Sequence, residues 1–156
     1  MSDAVNFLAA LNAKTDPDMG LTDWFQYSQQ DVDNHAKTSG DDGPVHNDPA
    51  YCKANTPFGG TIVQGSLLMS TLTRMAKSLH WPDGEMVFRL SYGYNKVRII
   101  QPVKTDQRFR GRFQLKNAEP KGEKALLVNV DITLEGEGDD GPALIAEWLF
   151  YVQFAS

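Results

Sequence analysis

The chain has a single cysteine, Cys52, which excludes an internal disulfide and a four-cysteine zinc site. It has no apolar run approaching the ~18 residues that span a bilayer. The opening Met-Ser-Asp-Ala lacks the basic start and apolar stretch of an export signal, so a cytoplasmic, soluble protein with no membrane partner is expected. Positive charge is short overall. The net charge of −5 argues against a nucleic-acid partner. Low-complexity tracts, repeats and an interdomain linker are all lacking. What remains is 156 residues, 41% hydrophobic and 22% charged, enough for one domain that buries a core without a metal staple. Residues 1–20 are read as a helical extension of that domain.

Charge is distributed unevenly. Residues 1–59 sum to −6, residues 60–116 to +7, and residues 117–156 to −6. Arg108, Arg110 and Arg112 are spaced by two, which puts them on one face of a strand. That pattern is either a salt-bridged sheet face or a site for a small phosphorylated ligand.

Periodicity divides the chain in two. Residues 3–13 read as a short helix with Val5, Phe7, Leu8 and Leu11 apolar, and Thr22 to Tyr27 as a short strand. Ser28-Gln29-Gln30-Asp31 resembles a capping box opening a helix that stops at Ser39-Gly40. Residues 40–47 are turn-formers, expected to be irregular, and Pro49 can begin another short helix. Residues 62–79 form the strongest helical segment, with Leu68, Leu72, Met75 and Leu79 on one face and a first half apolar nearly all round; such a helix is expected to be buried. From residue 86 the period becomes two, in four runs separated by turn residues. The expected class is α+β, with a curved antiparallel sheet around one central helix.

Three histidines are candidates for acid–base chemistry. His80 at a helix end suits a structural role, and His35, four residues after Asp31, suits a surface pair. His46 shares a turn-rich loop with Asp41. The pair is either a carboxylate and an imidazole converging on one point, or an Asx-type turn with an exposed histidine. Gly65, near the start of the long helix, either admits a ligand carbonyl to an open backbone N–H or allows tight packing against the sheet.

Three segments taken together resemble the MaoC-like dehydratase family, which includes the (R)-specific enoyl-CoA hydratases. They are Tyr27-Ser28-Gln29-Gln30-Asp31-Val32, Gly40-Asp41-Asp42-Gly43-Pro44-Val45-His46-Asn47-Asp48-Pro49, and Pro57-Phe58-Gly59-Gly60-Thr61-Ile62-Val63-Gln64-Gly65. The Gln64-Gly65 ending and Tyr92-Gly93-Tyr94-Asn95-Lys96-Val97-Arg98 look more like the nodulation-protein-N-like branch. The resemblance implies a single hotdog fold, usually a homodimer with sites at or near the interface. It implies reversible hydration of trans-2-enoyl-CoA to (R)-3-hydroxyacyl-CoA, with acyl-CoA as the small-molecule partner and no metal or other cofactor. Asp41 and His46 match the catalytic pair, and Gly65 matches the glycine whose N–H holds the thioester carbonyl. Gln64, Gly60, Ser66, Asn95 and Arg98 are carried as substrate-binding positions, and Lys96, Arg98 or Lys104 as contacts for the CoA phosphates. Many relatives have His where Gln64 stands, and glutamine cannot carry a proton at neutral pH. A thioesterase and a non-catalytic acyl-CoA-binding protein are the alternatives. Tyr92, Tyr94, Phe109 and Met69 are expected to be core residues, with an acyl tunnel as the other option.

Overall fold

The computed structural model describes residues 2–155. Helix α1 (Asp3–Asn12) starts where the Ser2 hydroxyl accepts from Val5 N–H, and it buries Ala4, Phe7 and Leu11. Strand β1 (Asp18–Leu21) follows. Helix α2 (Gln29–Ser39) has the full reciprocal capping box: Ser28 accepts from Asp31 N–H, and the Asp31 side chain accepts from Ser28 N–H. It ends at Gly40, whose φ of +78° is a left-handed conformation that glycine adopts without strain. One turn, α3 (Pro44–Asn47), leads into α4 (Pro49–Asn55), capped by Asp48. Helix α5 (Gly65–Met75) continues into a 3₁₀ turn at Ala76–Ser78. Four long strands complete the chain: β2 (Met86–Ile99), β3 (Phe109–Pro120), β4 (Ala125–Gly136) and β5 (Pro142–Phe154).

The five strands form one antiparallel sheet in the order β1-β3-β4-β5-β2. β4 and β5 lie inside the sheet; β5 alternates between buried and half-buried positions from Leu144 onward, and β4 does so from Leu126 onward apart from the buried Asn129 and the exposed Thr133. Their inner residues, among them Val130, Ile132, Trp148, Phe150 and Val152, join Leu68, Leu72 and Met75 of α5 in one core. Phe7 and Leu11 of α1 belong to the same cluster. Among the described residues, no helix is long and apolar enough to cross a membrane.

Four local expectations change. The first strand is Asp18–Leu21, and residues 22–27 make a single bridge, Phe25 to Phe109. The proline at the first helical position turns residues 44–47 into one helical turn, closed by His46 N–H donating to the Gly43 carbonyl. The long helix starts at Gly65 because Ile62 and Val63 are extended: Val63 N–H donates to Val103 O and Thr105 N–H to Thr61 O. The helix is also not buried all round. Leu67, Leu68, Thr71, Leu72 and Met75 are buried, while Ser66, Ser70, Thr73 and Arg74 are exposed, since a five-stranded sheet curls around one side of it.

β2 stands apart. It is an edge strand with one hydrogen-bonded neighbour, yet Val87, Phe88, Leu90, Tyr92 and Ile99 are all exposed, with Ile100 just beyond its end. Tyr92 therefore lies outside the core, stacked near Tyr151. Tyr94 is half-buried on Trp148, Phe109 is fully buried, and Met69 packs against the core from partial exposure.

Candidate active site

Asp41 and His46 converge. His46 Nε2 lies 3.6 Å from Asp41 Oδ1, with the imidazole 12% exposed and the carboxylate 47% exposed. His46 Nδ1 is 2.7 Å from the Ile62 carbonyl. A carbonyl only accepts, so Nδ1 carries the proton, and in the neutral ring Nε2 presents its lone pair toward Asp41. Two acceptors then face one gap that a proton donor can enter.

The surrounding backbone is laced to the strip that precedes α5. Ile62 N–H donates to the Val45 carbonyl. The Gln64 side chain is fully buried, and its Nε2 donates to Val32 O at 3.0 Å and to Asp41 O at 3.3 Å. Ser39 Oγ accepts from Asp41 N–H at 3.2 Å. Asp41 is thus held on both sides by its backbone, leaving its carboxylate free to face His46. Gln64 acts here as a buried tie.

Gly65 is the first residue of α5, and its helix has no side-chain cap. The first turn of a helix leaves N–H groups unpaired and a positive dipole end. Among the described residues, the Gly65 and Ser66 amides have no hydrogen-bond partner. A Cβ at Gly65 would run into the Ile99 side chain on β2, so the glycine is tightly packed on one side while its amide stays open. Ser66 is exposed, and its Oγ is 2.8 Å from His35 Nε2. His35 therefore faces α5, while the carboxylate of Asp31 is engaged by Ser28.

Other residues named from the sequence lie further out. Gly60 lines a cleft of ≈ 520 Å³ with Gln29, Phe58, Thr61 and Lys104. Asn95 and Arg98 are exposed on β2, with Asn95 bonded to Glu147 and Arg98 Nη1 donating to the Val97 carbonyl at 2.7 Å. Neither touches the Asp41–His46 pair among the described residues. The three arginines are neutralised within the sheet: Arg108 pairs with Glu137, Arg110 with Glu135 at 2.6 Å, and Arg112 with Asp18 at 3.4 Å. This bears out the salt-bridged reading over the phosphate site. Among the described residues, no group of three His, Cys, Asp or Glu is arranged to hold a metal ion.

Sequence reasoning missed Gln29 and Asp33. Gln29 Nε2 donates to the His46 carbonyl at 2.7 Å and to Asp33 at 2.8 Å, while Gln29 Oε1 accepts from Thr61 at 2.5 Å. Asn47 Nδ2 also donates to Asp33, and the Gln29 and Asn47 bonds hold the Asp33 carboxyl below its ordinary range. The one available signal was the amide side chain opening a capped helix.

A family model described as a MaoC-like domain matches residues 11–136. The chain belongs to the MaoC-like dehydratase family. It is 34% identical over 147 residues to nodulation protein N of Rhizobium leguminosarum bv. viciae, covering 94% of this chain and 91% of that protein. It is 33% identical over 140 residues to 3-hydroxyacyl-thioester dehydratase Z of Mycobacterium tuberculosis, covering 90% and 91%. The MaoC-like chain also superposes on a monoamine oxidase regulatory protein from Archaeoglobus fulgius (TM-score 0.77, 20% identity, 94% and 95% covered). A second match is an (R)-hydratase from A. caviae (TM-score 0.64, 18% identity, 88% and 98% covered). These superpositions bear out the α+β hotdog fold expected from the sequence.

Proposed function

We infer that this MaoC-like protein is an (R)-specific enoyl-CoA hydratase, a hydro-lyase that reversibly adds water to trans-2-enoyl-CoA. The observation that carries the reading is the 3.6 Å approach of Asp41 Oδ1 and His46 Nε2, both anchored to the strip that ends at the open Gly65 amide. The family membership and the dehydratase relative support it.

The chemistry follows from the parts. Conjugation with the thioester carbonyl makes C3 of the substrate electrophilic. A water in the gap gives its O–H groups to the carboxylate and to the Nε2 lone pair. As the C3–O bond forms, one of these acceptors takes the water proton, and the C2=C3 electron pair moves through C2 toward the thioester oxygen. The Gly65 N–H and the helix dipole stabilise the negative charge there. The acceptor that took the water proton then gives it up to C2 on the same face, which restores that group, completes syn addition and gives (R)-3-hydroxyacyl-CoA. The chain's own groups supply every proton transfer, and the CoA thioester is substrate.

The exposed apolar edge of β2 supports a homodimer, since an unpaired edge with large apolar side chains is a template for a second strand. Ile99 lies on that edge and against Gly65, so the interface would adjoin the site. A cytoplasmic role in fatty acyl-CoA metabolism belongs to the same reading.

The test is loss of the conjugated ultraviolet absorbance of crotonyl-CoA, with chiral analysis of the product. Hydration to the (R)-alcohol is expected. Release of free CoA thiol without hydration would point to a thioesterase, and calorimetric binding without turnover to an acyl-CoA-binding protein.

A further inference from the structure

The imidazole of His35 plays no part in the mechanism above, yet it sits at the head of α5. Its Nε2 is 2.8 Å from Ser66 Oγ, one residue after Gly65. Helix side chains tilt toward the amino end, which puts the Ser66 side chain at the same end of α5 as the open amides. His35 is fixed opposite it because Gln64 ties the same helix head to Val32, one turn earlier on α2. Gln64 also leaves its Oε1 fully buried without a partner among the described residues. That buried acceptor does not reach a ligand; what the head of α5 offers one is its open donors, which the fold itself does not satisfy.

A serine hydroxyl has one proton and can accept as well as donate. With Nε2 bare, Ser66 spends that proton on His35. With hydrogen on Nε2, His35 donates to Oγ and the hydroxyl proton is left for a ligand. Ser66 is the exposed member of the pair and His35 the half-buried one, so the hydroxyl is the group a ligand can reach.

We propose that His35 donates to Ser66 Oγ and so aims the Ser66 hydroxyl at the thioester oxygen as a second donor beside the Gly65 N–H. This rests on the hydratase reading and deepens it. Ser66 touches substrate, and His35 is a positioning residue acting through it. Charge on the thioester oxygen grows toward the transition state, so the contribution belongs mainly to kcat.

The test compares full-length wild type with Ser66→Ala, His35→Phe and His35→Gln. With crotonyl-CoA, the first two variants are expected to lower kcat by about 10²-fold with KM within about threefold of wild type. The double variant Ser66→Ala/His35→Phe should be little worse than either, because the two act as a unit. His35→Gln, whose amide N–H can still donate, should recover most of the rate. The second readout is the carbonyl resonance of ¹³C-labelled butyryl-CoA, which cannot be hydrated. Binding should shift it downfield in wild type and less so in Ser66→Ala. Variants within about twofold of wild type in kcat, a rise in KM alone, no rescue by glutamine, or equal carbonyl shifts would each overturn the proposal. An inert wild type would end the hydratase reading instead, and the carbonyl shift would still decide whether Ser66 donates.

Discussion

The arginine ladder on β3 and the Asp41–His46 pair are both clusters of ionisable side chains, and they differ in what neutralises them. Each ladder arginine meets a carboxylate supplied by the sheet or its connecting turns, and Arg108 and Arg110 also lie over Trp24. Its charge is already matched within the fold. Asp41 and His46 instead have their backbones and Nδ1 secured by neighbours, while Oδ1 and Nε2 face each other across a gap. Regular backbone spaces charges so that they satisfy one another. A loop and a single helical turn, clamped from behind, can hold two reactive atoms unsatisfied.

The sharpest way to break this contrast is to mutate both clusters. Asp41→Asn and His46→Ala should each lower crotonyl-CoA hydration by about 10²–10⁴-fold with the circular dichroism spectrum unchanged. Arg110→Gln should leave the rate unaltered. A comparable loss in Arg110→Gln would erase the distinction.

A smaller effect is expected behind the pair. Gln64→Leu leaves the Val32 and Asp41 carbonyls without their buried donor, which should cost about 1–3 kcal/mol in denaturant unfolding. Hydration should fall as well, because Asp41 loses one of its two backbone anchors. A variant as stable and active as wild type would mean that the tie is dispensable.

Gly65→Ala probes the helix head. Its methyl group meets the far end of the Ile99 side chain, which is 52% exposed in the single chain. Activity should drop while the melting temperature changes little. Pairing it with Ile99→Ala should recover part of the rate.

The smallest effects belong to the ladder. Arg110→Gln removes a partly exposed ion pair worth about 1 kcal/mol or less. Hydrogen bonding to Arg108 holds the Glu137 carboxyl below its ordinary range, and Lys116 does the same for Glu147. A lowered folded-state pKa means that the unfolded chain binds protons more readily. The stability these pairs add is present above the unfolded carboxylate range and is lost as pH falls through the lowered folded values. Arg108→Gln should therefore flatten the acid side of a plot of melting temperature against pH. An unchanged acid limb would show that the pair adds nothing.

The pattern of the chain made much of this readable. Alternation in β3, β4 and β5 has one physical cause, a sheet with one wet and one dry face, and the same period of two located β2, whose apolar residues Phe88, Leu90 and Tyr92 the fold leaves exposed. The Ser28/Asp31 capping box and the Gly40 stop bracketed α2 because those signals act within a few residues. Asp41, His46 and Gly65 could be singled out because turn-formers and a helix start confine where they sit. The beginning of α5 was not readable: Ile62 and Val63 suit a helix as well as a strand, and a bridge to residues 103–105, forty positions away, decided between them. His35 was misread for the same reason, since its partner Ser66 lies on another helix.

Local chemistry in the sequence thus determined which segments could be strands or helices and which loop could hold a carboxylate beside an imidazole. Only tertiary contact decided that Nε2 and Oδ1 would face one another, that the Gln64 amide would clamp the Val32 and Asp41 carbonyls, and that Ser66 would meet His35. Propensity is set by neighbours along the chain, whereas the position of a reactive atom to within a hydrogen-bond length is set by groups that the fold brings from far away.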